Sequence, residues 1–464
     1  MISVTLEWIA EQLQSELQGE NKDISGVSTD TRTLQTGDLF VALSGPNFDG
    51  HGFVEMAEQK GAAALIVSQP VKSSLPFILV PDTKLALGKL AGAVRQLVPV
   101  KTVAITGSSG KTTVKEMVAA ILSRKGKVLA TQGNFNNDIG VPLTLLRLEA
   151  DHQYAVIELG ANHLGEIAYT TALTRPDVAT IVNAAAAHLE GFGSLFGVAR
   201  AKSEIFKGLP DKGLAVLNAD SQFLAFWKGK LNHLRIQEFG EAAGDFHASD
   251  VALGMDGCAQ FQMHTPKGNL DLTLAVPGMH NVSNALCAAA LAMEVGASLE
   301  DIKMGLQEMG QVRGRLNIKA LTNQVRLIDD SYNANVSSTQ AAIDLLASFP
   351  GRRVLVLGDM AELGEKARFY HEEMGQYALS RGVDNLFSLG VLSQQASDQF
   401  GAAGRHFSEV DALIAYLQGE LQSEQRDISI LIKGSRSARM ERVVKAIEES
   451  PVGKFERARE RIAC

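Results

Sequence analysis

The stretch Thr106-Gly107-Ser108-Ser109-Gly110-Lys111-Thr112-Thr113 carries the densest chemistry in the chain. Glycines let backbone N–H groups approach phosphate oxygens, and a helix starting just after them adds the positive end of its dipole. In such a loop Lys111 reaches the outer phosphates and the Thr112 hydroxyl ligates Mg²⁺. The flanks fit. Val103-Ala104-Ile105 is a short apolar run, and Val114, Met117, Val118, Ile121 and Leu122 follow at helical spacing. Strand, glycine turn and helix together separate a phosphate loop from a chance Gly-Lys-Thr. One position departs from the usual pattern: Ile105 stands where a glycine is expected.

Other reactive groups fall at the ends of strand-like runs. Glu158 closes Ala155-Val156-Ile157. A carboxylate there suits Mg²⁺ or a water in a P-loop enzyme, and equally suits a salt-bridged strand end. The run 178–182 leads to Asn183 and then to His188, Glu190 and Phe192. A lone histidine is more often structural, but this one follows a strand at the phosphate end of the sheet, where open α/β sheets bind ligands. Lys202 lies on a helical stretch from 198 to 206 and reads by default as a surface lysine. Asn281 and Asn284 precede an alanine-rich helix at 285–295, and either read a base edge or cap that helix.

The ends of the chain repeat the pattern. Ser28-Thr29-Asp30-Thr31-Arg32 and Ser44-Gly45-Pro46-Asn47-Phe48-Asp49-Gly50-His51 offer hydroxyls, amides and an arginine to a phosphate- or sugar-bearing ligand. Composition alone favours turn and capping chemistry for both. The asparagine-rich run 131–140 is a loop, and three polar clusters close later strands: 330–335, 358–362 and 433–437. Gly358-Asp359 has no GxGxxG beside it, which gives a dinucleotide reading little weight.

Elements must hold these groups. With 464 residues the chain exceeds one core, so two to four domains are expected. Residues 1–98 read as a small α/β unit, with Leu6, Ile9, Ala10, Leu13 and Leu17 on one helix face and strands at 39–43, 64–67 and 77–80. Residues 99–312 read as a nucleotide-binding parallel sheet, joined by an antiparallel hairpin that turns at Pro266-Lys267-Gly268-Asn269. Residues 313–464 repeat strand and helix, with strands at 325–328, 354–357, 386–389 and 428–432. The fold class is α/β in three domains. A net charge of −8 without any lysine or arginine block argues against nucleic acid. No apolar run is long enough to span a bilayer, and Glu7 and Glu11 interrupt the N-terminal apolar pattern as a signal peptide would not allow. Cys258, Cys287 and Cys464 are too dispersed for a disulfide framework or a CxxC site, which points to a reduced, cytoplasmic setting.

Taken together, these stretches resemble the Mur ligases, the ATP-dependent amide-forming enzymes of peptidoglycan precursor synthesis. The resemblance rests on 106–113, on Gly133-Asn134-Phe135-Asn136-Asn137-Asp138-Ile139-Gly140-Val141-Pro142 and on His188-Leu189-Glu190-Gly191-Phe192-Gly193. It extends through Asp330-Ser331-Tyr332-Asn333-Ala334-Asn335, Gly358-Asp359-Met360-Ala361-Glu362-Leu363-Gly364 and Lys433-Gly434-Ser435-Arg436-Ser437. The family's phosphate loop lacks the upstream glycine, which accounts for Ile105.

The resemblance implies an N-terminal domain for a UDP-sugar peptide, a central ATPase and a C-terminal Rossmann-like domain. Its motifs are most similar to those of members that join D-alanyl-D-alanine to UDP-N-acetylmuramoyl-tripeptide through an acyl phosphate. It implies ATP held by Gly107, Ser108, Ser109, Gly110, Lys111, Thr112 and Thr113, with Asn281 and Asn284 near the adenine, Asp330 near the ribose and Arg315 on the phosphates. Two Mg²⁺ ions are implied, one on Thr112 and Glu158, the other on His188 and Lys202. An ammonium cannot ligate Mg²⁺, so the family role of Lys202 requires a carbamate formed with CO₂. Lys111, Glu158, His188, Lys202 and Arg315 are thereby the catalytic candidates. Ser28, Thr29, Asp30, Arg32, Ser44 and Gly45 become UDP-side candidates, and Asn137, Asn333, Lys433, Ser435 and Arg436 further substrate candidates. Arg315 and Asp330 lie in the third domain, so a hinge near 312–316 and closure on ATP and substrate are expected. A monomer without nucleic-acid or membrane partners is expected. The competing readings are a ligase for the third amino acid, a folylpolyglutamate synthase, which lacks a separate UDP domain, and a P-loop switch, which needs no second metal.

Overall fold

Parallel strands buried on both faces need continuous apolar runs, and the chain has three sets of them. The computed structural model describes residues 1–45, 48–187, 189–310 and 314–450. Pro46, Asn47 and His188, named above, lie outside them, as does Cys464.

The first sheet runs in the order Leu17–Gln18, Phe77–Leu79, Ala64–Val67, Leu39–Val41, Val27–Ser28. Its pairs are parallel except Leu17–Gln18 with Phe77–Leu79. Leu17 is therefore a strand residue, not a member of the first helix face. Helix Leu6–Leu13 stops at Gln14, whose φ of 56° turns the chain away. Helix Thr83–Leu97, capped by the Asp82 side chain on Leu85 N–H at 2.9 Å, joins the first sheet to the next unit. One apolar cluster runs from Leu6 and Ile9 through Leu87 and Leu90 to Ile157 and Trp227.

The second sheet is fully parallel, in the order Val128–Ala130, Tyr154–Glu158, Lys101–Thr106, Val178–Ile181, Leu214–Asn218, Arg235–Phe239. Ile105 pairs with Glu158 and Thr106 with Ile181. This register brings the glycine loop, Glu158 and Asn183 out at one end of the sheet. The expected hairpin exists, but as part of a separate three-stranded antiparallel sheet, His247–Leu253, Cys258–Thr265 and Gly268–Pro277. Thr265 pairs with Gly268, so the turn itself is Pro266-Lys267. The alanine-rich helix is longer than expected, His280–Glu294, and takes in both asparagines. The Lys202 helix is Leu195–Lys202, after which the chain tightens into a 3₁₀ turn, Ser203–Gly208.

The third sheet runs Asn317–Ala320, Val325–Asp330, Ile428–Lys433, Arg352–Gly358, Asn385–Leu389, Gly404–Phe407. All its pairs are parallel except the edge strand Asn317–Ala320. Asp330 and Lys433 are register partners at the ends of adjacent strands. Helices cover both faces with two apolar clusters, one around Ile343, Leu346 and Leu355, the other around Leu413, Ile430 and Val443.

Candidate active site

Gly110 caps helix Lys111–Ser123 with φ 77°, a left-handed conformation that glycine adopts without strain. A Cβ there would come within 2.7 Å of Asn284 Oδ1. Asn183, two residues past its strand, fastens the loop. Its Oδ1 accepts the N–H groups of Ser108 at 3.1 Å and Ser109 at 2.9 Å, and its Nδ2 donates to the Ser109 carbonyl at 3.2 Å and hydroxyl at 3.0 Å. The Ser108 hydroxyl donates to the Ala185 carbonyl at 3.0 Å. Lys111 folds back on its own loop, donating to the Gly107 carbonyl at 2.8 Å. Burial pulls the Lys111 ammonium below its ordinary pKa, opposed by Glu158 and Glu362 and reinforced by Arg315.

Glu158 is 2% exposed. Its carboxylate accepts the Thr112 hydroxyl at 2.9 Å and Asn136 Nδ2 at 2.8 Å, while its N–H donates to Thr131 Oγ1 at 3.0 Å. Hydroxyl and carboxylate oxygens one hydrogen bond apart are the hard donors that Mg²⁺ takes. Lys202 is buried, at 1% exposure, where a surface lysine would be the default. Burial, and then the like charge of Lys111, hold its ammonium well below the ordinary lysine pKa. Lys111 is thus the electrostatic neighbour of both Glu158 and Lys202.

A cavity of about 330 Å³ opens over the loop. Ser108 through Thr113, Asn281 and Asn284 line it from the central unit, and Arg315, Asp330, Asn333 and Lys433 from the third. Asn281 Nδ2 donates to the Pro277 carbonyl and Asn284 Nδ2 to Asn281 Oδ1, both at 2.7 Å. Arg315 stacks its guanidinium over the Tyr332 ring at 4.6 Å. Asp330 and Lys433 form a buried ion pair, and Lys433 Nζ also donates to the Asn333 carbonyl at 3.0 Å. Burial pushes the Asp330 carboxyl up and the Lys433 ammonium down, each opposed by the other. Lys433 was expected beside Ser435 and Arg436, yet only Lys433 of the three lines this cavity. The Ser435 N–H donates to the Asp359 carbonyl at 2.9 Å, and Arg436 pairs with Glu441 at 2.9 Å.

Two residues that sequence reasoning passed over tie the third unit to the loop. Asn335 caps helix Val336–Ser348 through its Oδ1, which accepts Ser338 N–H at 2.9 Å. Its Nδ2 reaches across to the Ser108 carbonyl at 3.2 Å, and Ser337 Oγ meets Ser109 Oγ at 3.5 Å. Asn183 and Asn136 were likewise not selected. The one available signal was their position, at a strand end and within the asparagine-rich loop.

The UDP-side candidates do not line this cavity. Arg32 clasps Asp30 through Nε at 3.0 Å and Nη2 at 2.6 Å, which holds the Asp30 carboxyl at about 2. The Ser28 hydroxyl donates to the Asp30 carbonyl at 3.0 Å, and Thr29 is half-buried between them. The Ser44 hydroxyl donates to Asp49 at 2.9 Å, while Gly45 pairs with Phe48 in a short two-stranded ribbon. Asn137 is exposed and caps the helix entry, accepting Gly140 N–H at 2.8 Å.

The strand ends of the second sheet thus make a P-loop nucleotide site, roofed by a third α/β unit. Residues 105–292 match the Mur ligase middle domain, residues 314–436 the Mur ligase glutamate ligase domain, and residues 23–104 the Mur ligase family catalytic domain. The chain belongs to the Mur ligase family. It is 52% identical over 452 residues to the UDP-N-acetylmuramoyl-tripeptide–D-alanyl-D-alanine ligase of Escherichia coli (strain K12), covering 97% of this chain and 99% of that protein. The crystal structure of MurF from Acinetobacter baumannii superposes with a TM-score of 0.92 at 38% identity, covering 97% of this chain and 99% of that one. MurF from Thermotoga maritima, solved in complex with ADP, has a TM-score of 0.81 at 28% identity, covering 93% of this chain and 98% of that one.

Proposed function

We propose that the chain is the ATP-dependent ligase that joins D-alanyl-D-alanine to UDP-N-acetylmuramoyl-tripeptide, giving the pentapeptide, ADP and phosphate. The observation that carries this reading is one shared cavity. Phosphate-loop residues line one wall and Arg315 and Asp330 of the third unit the other. Identity of 52% across the whole chain to a ligase of that name supports the substrate assignment.

In this reading the loop N–H groups and Lys111 bind the ATP phosphates, and Asn281, Asn284 and Asp330 face the nucleoside. Thr112 and Glu158 would hold one Mg²⁺, and His188 and the carbamate form of Lys202 would hold a second. When bound, these ions neutralise the charge that accumulates as two anions are brought together. The low basicity of buried Lys202 favours the neutral amine that CO₂ needs for carbamate formation. A peptide carboxylate oxygen attacks the γ-phosphorus, the bond to the bridging oxygen breaks, and ADP leaves. The dipeptide amine then attacks the acyl carbon and phosphate departs. Arg315 offsets the phosphoryl charge from the third unit.

Residues 1–98 are assigned to the UDP-sugar peptide, with Ser28, Thr29, Asp30, Arg32, Ser44 and Gly45 as its contacts. Residues 99–312 are assigned to ATP and 313–464 to closure and the incoming dipeptide, with Asn137, Asn333, Lys433, Ser435 and Arg436 on the substrate side. No helix among the described residues is long and apolar enough to cross a membrane, and we assign a cytoplasmic monomer. The test is phosphate release with UDP-muramoyl-tripeptide and ATP. Turnover is expected with D-alanyl-D-alanine. Turnover with a single amino acid but not the dipeptide refutes the assignment.

A further inference from the structure

Lys115 is buried in helix Lys111–Ser123 beside the apolar Val114, Met117 and Val118, at 2% exposure. Burying an ammonium is unfavourable unless it is paired and hydrogen-bonded. Its Nζ pairs with Glu116 and donates to the Thr131 carbonyl at 2.8 Å. Thr131, itself 1% exposed, turns its hydroxyl the other way, where Oγ1 accepts the Glu158 N–H at 3.0 Å. The Glu158 carboxylate returns to the starting helix through Thr112 Oγ1 at 2.9 Å. Residues three apart share a helix face, so a single helix grips Glu158 twice: directly through Thr112, and through Thr131 by way of Lys115.

We propose that Lys115 is a positioning residue for the reaction: by anchoring Thr131 it fixes the backbone and carboxylate of Glu158 in the attitude that receives Mg²⁺. This rests on Glu158 being a Mg²⁺ ligand, as assigned above. The circuit explains why a charge is kept where methionine would pack. An apolar side chain could fill the volume but could not hold a main-chain carbonyl. Loss of that anchor leaves Thr131 held by its own N–H on the Val156 carbonyl at 3.1 Å and loosens the base of the 131–140 loop, which also carries Asn136, the other partner of the Glu158 carboxylate.

The test uses the full chain and ADP calorimetry across a Mg²⁺ series, beside thermal unfolding. Lys115→Met is expected to raise the Mg²⁺ needed for half-maximal ADP binding about tenfold, the effect of losing one charge-assisted hydrogen bond. Thr131→Val, which removes only the hydroxyl, is expected to move it the same way. The double variant should go no further than the larger single change, because both act through one circuit. Lys115→Arg keeps a donor and should recover part of the shift. Val118→Ala in the same helix should lower Tm and leave the Mg²⁺ requirement alone. The proposal falls if Lys115→Met lowers Tm without moving the Mg²⁺ requirement, or if the double variant is additive. Should Lys115→Met not fold, Thr131→Val decides alone, and an unmoved Mg²⁺ requirement there overturns the proposal. A wild-type protein that binds ADP without any dependence on Mg²⁺ overturns the Glu158 assignment itself, and the proposal with it.

Discussion

Asn183→Ala removes the side chain that ties the phosphate loop to the sheet. Ser108 and Ser109 N–H lose a shared acceptor at 3.1 and 2.9 Å. Each such bond contributes about 1 kcal/mol net. Ser108 N–H keeps a second acceptor, the Asn183 main-chain carbonyl at 3.0 Å, which the substitution leaves in place. The Nδ2 bonds to Ser109 border the open cavity, so water replaces them at little loss. The net weakening of the nucleotide-ready loop is about 1–2 kcal/mol, or roughly five- to thirtyfold in ADP affinity. Calorimetry reads this directly, and kcat/KM for ATP should fall by the same factor while the KM values of the other substrates hold. Asn183→Asp sharpens the test. It keeps the acceptor but sets a carboxylate against the phosphates, so it should bind ADP more weakly than the alanine variant. The reasoning is refuted if Asn183→Ala binds ADP within twofold of wild type, or if Asn183→Asp binds better than Asn183→Ala.

Glu158→Gln keeps the shape beside Thr112 and Asn136 but loses the charge. We expect kcat lower by about a hundredfold or more, a higher Mg²⁺ requirement and a nearly unchanged Tm, and full activity in a phosphate-release assay would remove Glu158 from the metal site. Lys202→Ala should abolish turnover, and added short carboxylic acids should restore part of it by supplying the missing oxygens; unchanged activity without them would eliminate the carbamate role. His280 is held at about 4 by burial and then by Lys433, against an ordinary value of 6.5. The unfolded chain therefore binds this proton first as pH falls. The His280 contribution to stability is complete above about pH 6.5 and is lost towards pH 4, by a few kcal/mol at most. Urea unfolding between pH 4 and 7 should show His280→Gln flattening that acid limb, and an identical pH dependence would refute the burial argument.

The readable parts of this chain were those where neighbours in sequence do one job. Tyr154–Glu158 and Val178–Ile181 are buried at every position, so they stand out as apolar runs. Arg235–Phe239 and Gly404–Phe407 are sheet edges with exposed arginines and a half-buried histidine, and they carry no such signal. His247–Leu253 has no buried position and slips register between Ser249 and Ala252, which breaks the alternation that marked its partners. The phosphate loop was legible because its donors are contiguous. Asn136, Asn183 and Asn335 were not, since their work appears only where separate segments meet. A helical lysine reads as surface in any sequence, and tertiary packing alone buries Lys115 and Lys202. Lys433 was legible only as a substrate-side candidate of the family motif, and its partnership with Asp330 comes from strand register, which the sequence does not display.

The dual bonding of Asn335 has an energetic consequence. Its Oδ1 is committed to its own helix, and only Nδ2 crosses to Ser108. Were the two units to part, the helix cap would survive and water would take over one amide hydrogen. A single neutral bond of about 1 kcal/mol biases a two-state equilibrium by only about fivefold. Losing that one bond would not by itself separate the walls, since Ser337 Oγ also meets Ser109 Oγ at 3.5 Å and Leu189 N–H donates to the Glu362 carbonyl at 3.1 Å. Each of these three ties is neutral, so exchanging any one of them for water shifts the balance between the walls by a modest factor and does not abolish their contact.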